Sequence, residues 1–486
     1  MRARRSPLVP GLVLTAAVAL SGSVLAAPAP AEDKRSQPRR NSEIVQQQPG
    51  TRSVMVVSNN WAGTATIVDA RSHGMLTTIN VVPDLDEELQ HVMTPSASHP
   101  AGAAFYLAIQ QGVGEGHDQY VDDAFTTLDG KYLAVSRPSL RDVVWIDVAK
   151  AAGAGEAGDP DSIVAEAEMD GYRTDHMGLS PDGRRLVVSD STARQVLEFS
   201  MVDEALPGGG HVTMGQRLRS FESGDTPHEN NYSADGRRIF HASIGRVYTP
   251  GDDADSDSSG GDTTKGDRWL QIVHAGSFDV KRRWDMGQEL AEADHPNMSS
   301  AVRPVAITPD EKIMYAQVSF FHGFVEFRMA KKDDTGGGDY ELGGLLEPRT
   351  GVVTRIVGLP IADEVKDMPR EQYVLDSAHH GLAINERGSK LCVAGTMSDY
   401  AAIVDRKTFS PTVFKGAARY IEDARYSKPY WAVEGPANTC WLSMSGSDLV
   451  TIISFGKEKV VAEVPVGDHP QRVRQGRILE SIVAGF

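Results

Sequence analysis

A short turn recurs along this chain, and it limits the possible folds more than any other feature. Leu128-Asp129-Gly130, Pro181-Asp182-Gly183 and Ala234-Asp235-Gly236 follow one another at intervals of 53 residues. Each introduces a β-prone run, a polar turn and two further runs. Pro309-Asp310-Glu311, Glu386-Arg387-Gly388 and Pro436-Ala437-Asn438 continue the series in diverged form, and Arg474-Gln475-Gly476 reads as a degenerate seventh turn. Repetition of one supersecondary unit marks a repeat architecture, because a single unit cannot bury its own apolar faces. Seven units of four short strands predict an all-β, seven-bladed β-propeller.

The chain ends support that count. Val54–Ser58, Thr64–Asp69 and Met75–Val81 read as three strands with no inner strand before them. Gly467-Asp468-His469-Pro470-Gln471-Arg472-Val473, near the other end, reads as the missing inner strand. Pairing the N- and C-terminal segments in one blade closes the ring and removes two sheet edges. The predicted propeller spans residues 51–486.

Residues 1–29 read as a signal peptide. Arg2, Arg4 and Arg5 precede an apolar run from Leu12 to Ala26, and small residues follow at Ala27-Pro28-Ala29. That run is shorter than the ~20 residues a membrane-spanning helix needs. Residues 30–50 are polar and aperiodic, and predict a disordered leader. The expected location is therefore secreted or extracytoplasmic, with no membrane span. A formal charge of −17 opposes general binding to nucleic acid, which requires basic faces. Cys392 and Cys440 allow one disulfide, but two small buried side chains are an equal reading. Gly251–Asp262 and Lys331–Gly338 read as polar insertions between strands.

Val57-Ser58-Asn59-Asn60-Trp61 with Thr66-Ile67-Val68-Asp69 resembles a repeat of the YVTN-type β-propeller family. So does Ser443-Met444-Ser445-Gly446-Ser447 with Val450-Thr451-Ile452-Ile453. The resemblance implies the fold, and it leaves function open among binding proteins, carriers of haem or copper, amine dehydrogenase heavy subunits, lactonases and lyases.

Chemistry in a propeller converges where the inner strands begin. Aligning the turns places Asp122-Asp123, Asp175-His176, His228-Glu229, Arg303-Pro304, His379-His380, Tyr430-Trp431 and Gln471-Arg472 around one channel mouth. His176, His228 and His380 are the candidate ligands of a transition metal ion, since imidazole suits zinc, copper, iron and nickel. Asp123, Glu229, Arg303, Tyr430, Trp431 and Arg472 are the candidate ligand-binding groups, offering charge pairing and stacking walls. His176 stands one position out of register with His228 and His380, and one step in a strand reverses a side chain's direction. His91, His99, His117 and His322 read as structural residues of loops or strands. Cys-x-x-Cys-His, Gly-x-Ser-x-Gly, a phosphate-binding glycine loop and His-Glu-x-x-His do not occur. The sequence thus predicts a propeller that binds a small molecule or a protein partner at its channel mouth, with a metal-dependent lyase, hydrolase or oxidoreductase as the alternative.

Overall fold

The recurring turn is held by a side-chain hydrogen-bond pattern that its sequence encodes. The hydroxyls of Thr127, Ser180, Ser233 and Thr308 donate to Asp129, Asp182, Asp235 and Asp310, two residues on, at 2.6–2.7 Å. The same carboxylates accept the backbone N–H groups of Lys131, Arg184, Arg237 and Lys312. The following residue must then take positive φ, which glycine adopts without steric penalty. Gly130, Gly183 and Gly236 do so at 73°, 68° and 70°. In the fourth turn Glu311 takes φ 56°, and its carboxylate pairs with Arg238. In the fifth, Asn385 supplies the acceptor for Ser389 and Lys390.

A computed structural model of the chain describes residues 49–205, 209–246, 266–296, 298–299, 302–329, 352–369, 372–373, 377–414 and 427–483. The predicted signal peptide, nearly all of the predicted leader and both predicted polar insertions lie outside the described residues. Seven four-stranded antiparallel sheets make up the fold, each running from an inner to an outer strand. Blade 1 comprises Ala124–Thr126, Tyr132–Arg137, Asp142–Asp147 and Ile163–Glu168. The inner strands of blades 2 to 6 are Thr174–Leu179, Pro227–Tyr232, Val302–Ile307, Gly381–Ile384 and Pro429–Gly435. Blade 7 combines Thr51–Asn59, Thr64–Asp69 and Met75–Asn80 with the inner strand Pro470–Leu479. The two chain ends pair antiparallel from Thr51 opposite Leu479 to Asn59 opposite Pro470.

That pairing corrects one detail of the sequence reading. Arg474-Gln475-Gly476 is not a turn. It lies in the middle of the closing strand, with Gly476 opposite Val54. The inner and second strands of blade 7 come from opposite ends of the chain, so no hairpin joins them.

Both faces of each blade are covered by its neighbours, so successive residues serve different interfaces. In blade 1, Leu133, Val135, Val144 and Ile146 pack with Val54, Val56 and Ile67 of blade 7. Their alternates Ala134, Val143 and Trp145 pack with Met177, Val188, Leu197 and Phe199 of blade 2. Cys392 and Cys440 sit on the second strands of blades 5 and 6 and form a disulfide. Between blades 7 and 1 the chain adds two helices, α1 (Leu85–Met93) and α2 (Gly102–Gln111). His91 therefore lies on a helix, not on a loop or strand.

Candidate functional site

The inner strands begin irregularly, and that irregularity builds the site. In blades 2, 4 and 6 two residues stand opposite one on the second strand: Asp175-His176, Arg303-Pro304 and Tyr430-Trp431. Register also shifts at His228 in blade 3 and at Gln471-Arg472 in blade 7. Such β-bulges re-aim side chains that strict alternation would send to opposite faces. They remove the register conflict between His176 and His228. Polar groups on the second strands hold the bulged backbone: Ser189 donates to the His228 carbonyl at 2.8 Å, and Ser443 accepts from Trp431 N–H at 3.0 Å.

The histidine rings lie close together. The His176 and His228 centroids are 3.7 Å apart, and those of His228 and His380 are 6.1 Å apart. His380 stacks on Tyr430 at 3.9 Å, and Trp431 stands edge-on to His176 at 5.6 Å. The Arg472 guanidinium lies 4.2 Å from the Trp431 ring centroid and 3.4 Å from Asp122. Arg303 donates to Ser319 at 3.1 Å. The ligand atoms that gather within 4.8 Å of one another belong to Asp175, His176 and His228.

Hydrogen bonding orients this cluster. His176 Nδ1 meets Glu229 Oε2 at 2.8 Å, while its Nε2 faces Asp175 Oδ1 at 3.3 Å and Asp122 Oδ2 at 3.9 Å. Asp175 is held from behind by Arg173 and by Ser191 at 2.7 Å. His176 Nε2, His228 Nδ1, His380 Nδ1 and Asp122 Oδ2 are buried without a hydrogen-bond partner among the described residues. Burial, reinforced by the charges of Arg472 and Arg303, pushes the His228 and His380 imidazoles well below the usual histidine range. Burial and Arg472 do the same to His176. The shift favours neutral imidazole, the form that binds metal. Burial raises the Asp122 and Glu229 carboxyls to about 7, with Arg472 opposing the rise at Asp122 and Arg474 and Arg472 opposing it at Glu229.

The histidine end of the channel is closed. His176, His228, His380 and Arg472 are 0%, 4%, 1% and 1% exposed. The helical insertion reaches over this end: Gln119 accepts from Arg173 at 2.9 Å, and Glu115 pairs with Lys428 of blade 6 at 2.6 Å. Trp61 is stacked between His117 and His469, with centroids at 3.8 and 3.7 Å. The opening lies at the opposite end, where the Asp-Gly turns surround a cavity of about 330 Å³. Its walls include Phe125, Leu179, Phe240, Val305 and Leu382, and Glu229, Trp431 and Arg474 reach it from the channel.

Of the predicted binding residues, Glu229 and Trp431 line the cavity, Asp123 lies just behind it, and Arg303, Tyr430 and Arg472 stand at the closed end. Arg474 and Arg173 are contributors that the sequence reading passes over. Arg474 binds Asp123 through two hydrogen bonds of 2.8 and 2.6 Å. Its signal was available, because it lies two positions after Arg472 on one strand and so faces the same side.

A histidine buried elsewhere in the blades gives a pH test. His241 lies between Ser223 (2.6 Å) and Asn230 (2.9 Å), and burial lowers it to about 3. Its folded value is depressed, so its contribution is present above the unfolded value of about 6.5 and is lost as pH falls towards 3. Urea unfolding of a His241→Asn variant is expected to show a pH slope smaller than the unmodified protein's by about 1.4 kcal/mol per unit inside that window. Equal slopes would show that His241 is protonated in the folded protein.

These features define a seven-bladed propeller with a buried polar channel, closed at one end and open at the other. No family model and no curated protein matches the chain. Solved structures similar to it include a periplasmic gluconolactonase from Pseudomonas aeruginosa. It is 12% identical, covering 87% of this chain and 99% of that one, with a TM-score of 0.47. Hydrazine synthase from Kuenenia stuttgartiensis is 13% identical over 72% and 88% of the two chains, with a TM-score of 0.45. Virginiamycin B lyase from Staphylococcus aureus is 11% identical over 72% and 85%, with a TM-score of 0.42. At these values the fold rests on the strand pairing described above.

Proposed function

We propose that this protein is an exported propeller that binds a small organic molecule inside its channel, entering from the face of the Asp-Gly turns. The cavity carries this reading. Its volume of about 330 Å³ falls within the range of small-molecule sites, and apolar walls with a few convergent polar groups are their usual make-up. Asn231 and Glu229, joined at 3.0 Å, offer amide and carboxyl groups to a ligand whose body rests on Phe125 and Phe240. The disulfide supports export, since such bonds persist in oxidising compartments.

A panel of neutral, cationic and anionic metabolites, followed by tryptophan fluorescence and thermal shift, tests the proposal. Saturable binding of one class is expected, weakened about tenfold by Asn231→Leu through loss of one polar contact. No saturable binding, or binding indifferent to Asn231, overturns it. The gathering of Asp175, His176 and His228 favours a second reading, a metal-dependent lyase, hydrolase or oxidoreductase, which requires turnover as well as a bound ion.

A further inference from the structure

We propose that the closed end of the channel is a divalent transition-metal site whose protein ligands are Asp175, His176 and His228, with Glu229 as a positioning residue. This deepens the second reading above but stands on ion binding alone, so it holds or fails independently of any turnover and of any ligand in the cavity.

Three observations converge. The first is spacing. Ligands bound about 2.0–2.1 Å from a tetrahedral ion lie about 3.3–3.5 Å apart. His176 Nε2 and Asp175 Oδ1 are already 3.3 Å apart, and a His228 nitrogen completes a group held within 4.8 Å. The bulges in blades 2 and 3 are what bring these side chains together.

The second is the tautomer. His176 Nδ1 lies 2.8 Å from Glu229 Oε2, and a Glu229 carboxylate selects the tautomer with the proton on Nδ1 and a lone pair on Nε2. That lone pair then faces carboxylate oxygens of Asp175 and Asp122, and Nε2 makes no hydrogen bond among the described residues. Lone pairs facing one another in a buried site repel, and a cation between them reverses the sign of the interaction. A carboxylate on the far nitrogen of a metal-binding histidine is the usual orienting contact, and it raises the basicity of the ligand.

The third is the support behind the carboxylate. Arg173 and Ser191 take up Asp175 Oδ2, while Oδ1 accepts the His176 backbone N–H at 3.0 Å and keeps a second lone pair 3.3 Å from His176 Nε2. Two imidazoles and one carboxylate form a donor set that suits zinc, cobalt(II) or nickel(II) better than calcium or magnesium, which prefer all-oxygen sites. Asp122 Oδ2, also buried without a hydrogen-bond partner among the described residues, lies 3.9 Å from His176 Nε2. His380 stays outside this set, stacked on Tyr430.

Cobalt(II) is the probe. Full-length protein produced in cobalt-supplemented medium and purified without chelator is expected to retain one ion per chain by elemental analysis. It should also show visible absorption typical of a four-coordinate nitrogen–oxygen site. His176→Gln and His228→Gln should each weaken retention by at least about 100-fold, and Glu229→Gln by about 10–100-fold. His380→Gln should retain the ion and its spectrum. Near-ultraviolet circular dichroism identifies any variant that fails to fold, and the spectrum of the unmodified protein needs no variant. No retained cobalt, a spectrum of an all-oxygen six-coordinate ion, or loss of the ion in His380→Gln but not in His228→Gln would overturn the assignment.

Discussion

Replacing Arg474 by methionine is expected to destabilise the protein by about 3–5 kcal/mol, the largest effect of any single substitution considered. The reason lies in what is left behind. Asp123 is fully buried, and its carboxylate accepts from Ala124 N–H at 3.0 Å and Met177 N–H at 3.1 Å as well as from the guanidinium of Arg474. Burial alone would pull the Arg474 guanidinium down, but the charge and hydrogen bonds of Asp123 outweigh it and hold it charged. Without Arg474 the buried carboxylate keeps two backbone donors and loses its counter-charge. Methionine also forfeits the cation–π contacts with Phe125 and Trp431, whose centroids lie at 4.9 and 5.1 Å.

The double variant Asp123→Asn with Arg474→Met removes both charges and should recover much of the loss. A pair replaced by neutral groups leaves no stranded ion. Urea unfolding of the four proteins in a double-mutant cycle measures the coupling directly. A single-variant loss below about 1 kcal/mol would mean that the pair contributes no more than an exposed ion pair. The pair matters for the architecture because Arg474 lies on the closing strand of blade 7 and Asp123 just before the inner strand of blade 1. It ties together the two blades between which the helical insertion leaves and returns.

The sequence carried the fold clearly because each turn carries its own chemistry. Thr-x-Asp-Gly or Ser-x-Asp-Gly states a hydroxyl, an acceptor and a residue free to take positive φ, all within four positions. Even the turn at Glu311 remained readable from its Thr308 and Asp310. The false seventh turn shows the limit. Gly476 looks like a turn glycine, but its neighbours are fixed by pairing with residues more than four hundred positions away, which local sequence does not encode. There a Cβ would meet Thr126 Oγ1 at 2.7 Å, so the glycine marks close packing between blades 7 and 1.

The candidate site was legible in its membership but not in its depth. Aligning the turns found His176, His228, His380 and Trp431, because polar residues at successive strand starts stand out against apolar repeats. The bulges that reconcile their registers depend on pairing with the second strands. Which end of the channel is open depends on Glu115 and Gln119 of the insertion, whose partners Lys428 and Arg173 are distant in sequence. Closure therefore became visible only in three dimensions, and it moved the expected point of ligand access to the opposite face.

Removing the Cys392–Cys440 bond through a double alanine substitution is expected to lower stability by about 2–4 kcal/mol. The two residues are 48 positions apart, and loop-closure entropy for that length gives about 4 kcal/mol as the unstrained limit. Alanine keeps the site apolar, as its neighbours Ala394, Ala401, Leu442 and Ile453 require. Serine would add an unpaired hydroxyl and confuse the comparison. The crosslink joins second strands of adjacent blades, whereas hydrogen bonds close the ring at blade 7, so the two devices restrain different parts of the unfolded chain. In the entropic account the bond acts chiefly by limiting the unfolded ensemble. The double variant should then fold more slowly, to the extent that the loop is closed in the transition state, and keep a native near-ultraviolet spectrum. Equilibrium unfolding with and without reductant gives the size of the effect, and stopped-flow kinetics show on which limb it falls. Equal unfolding midpoints for the oxidised protein and the double variant would remove the stabilising role and leave the cysteine pair to be explained by redox chemistry.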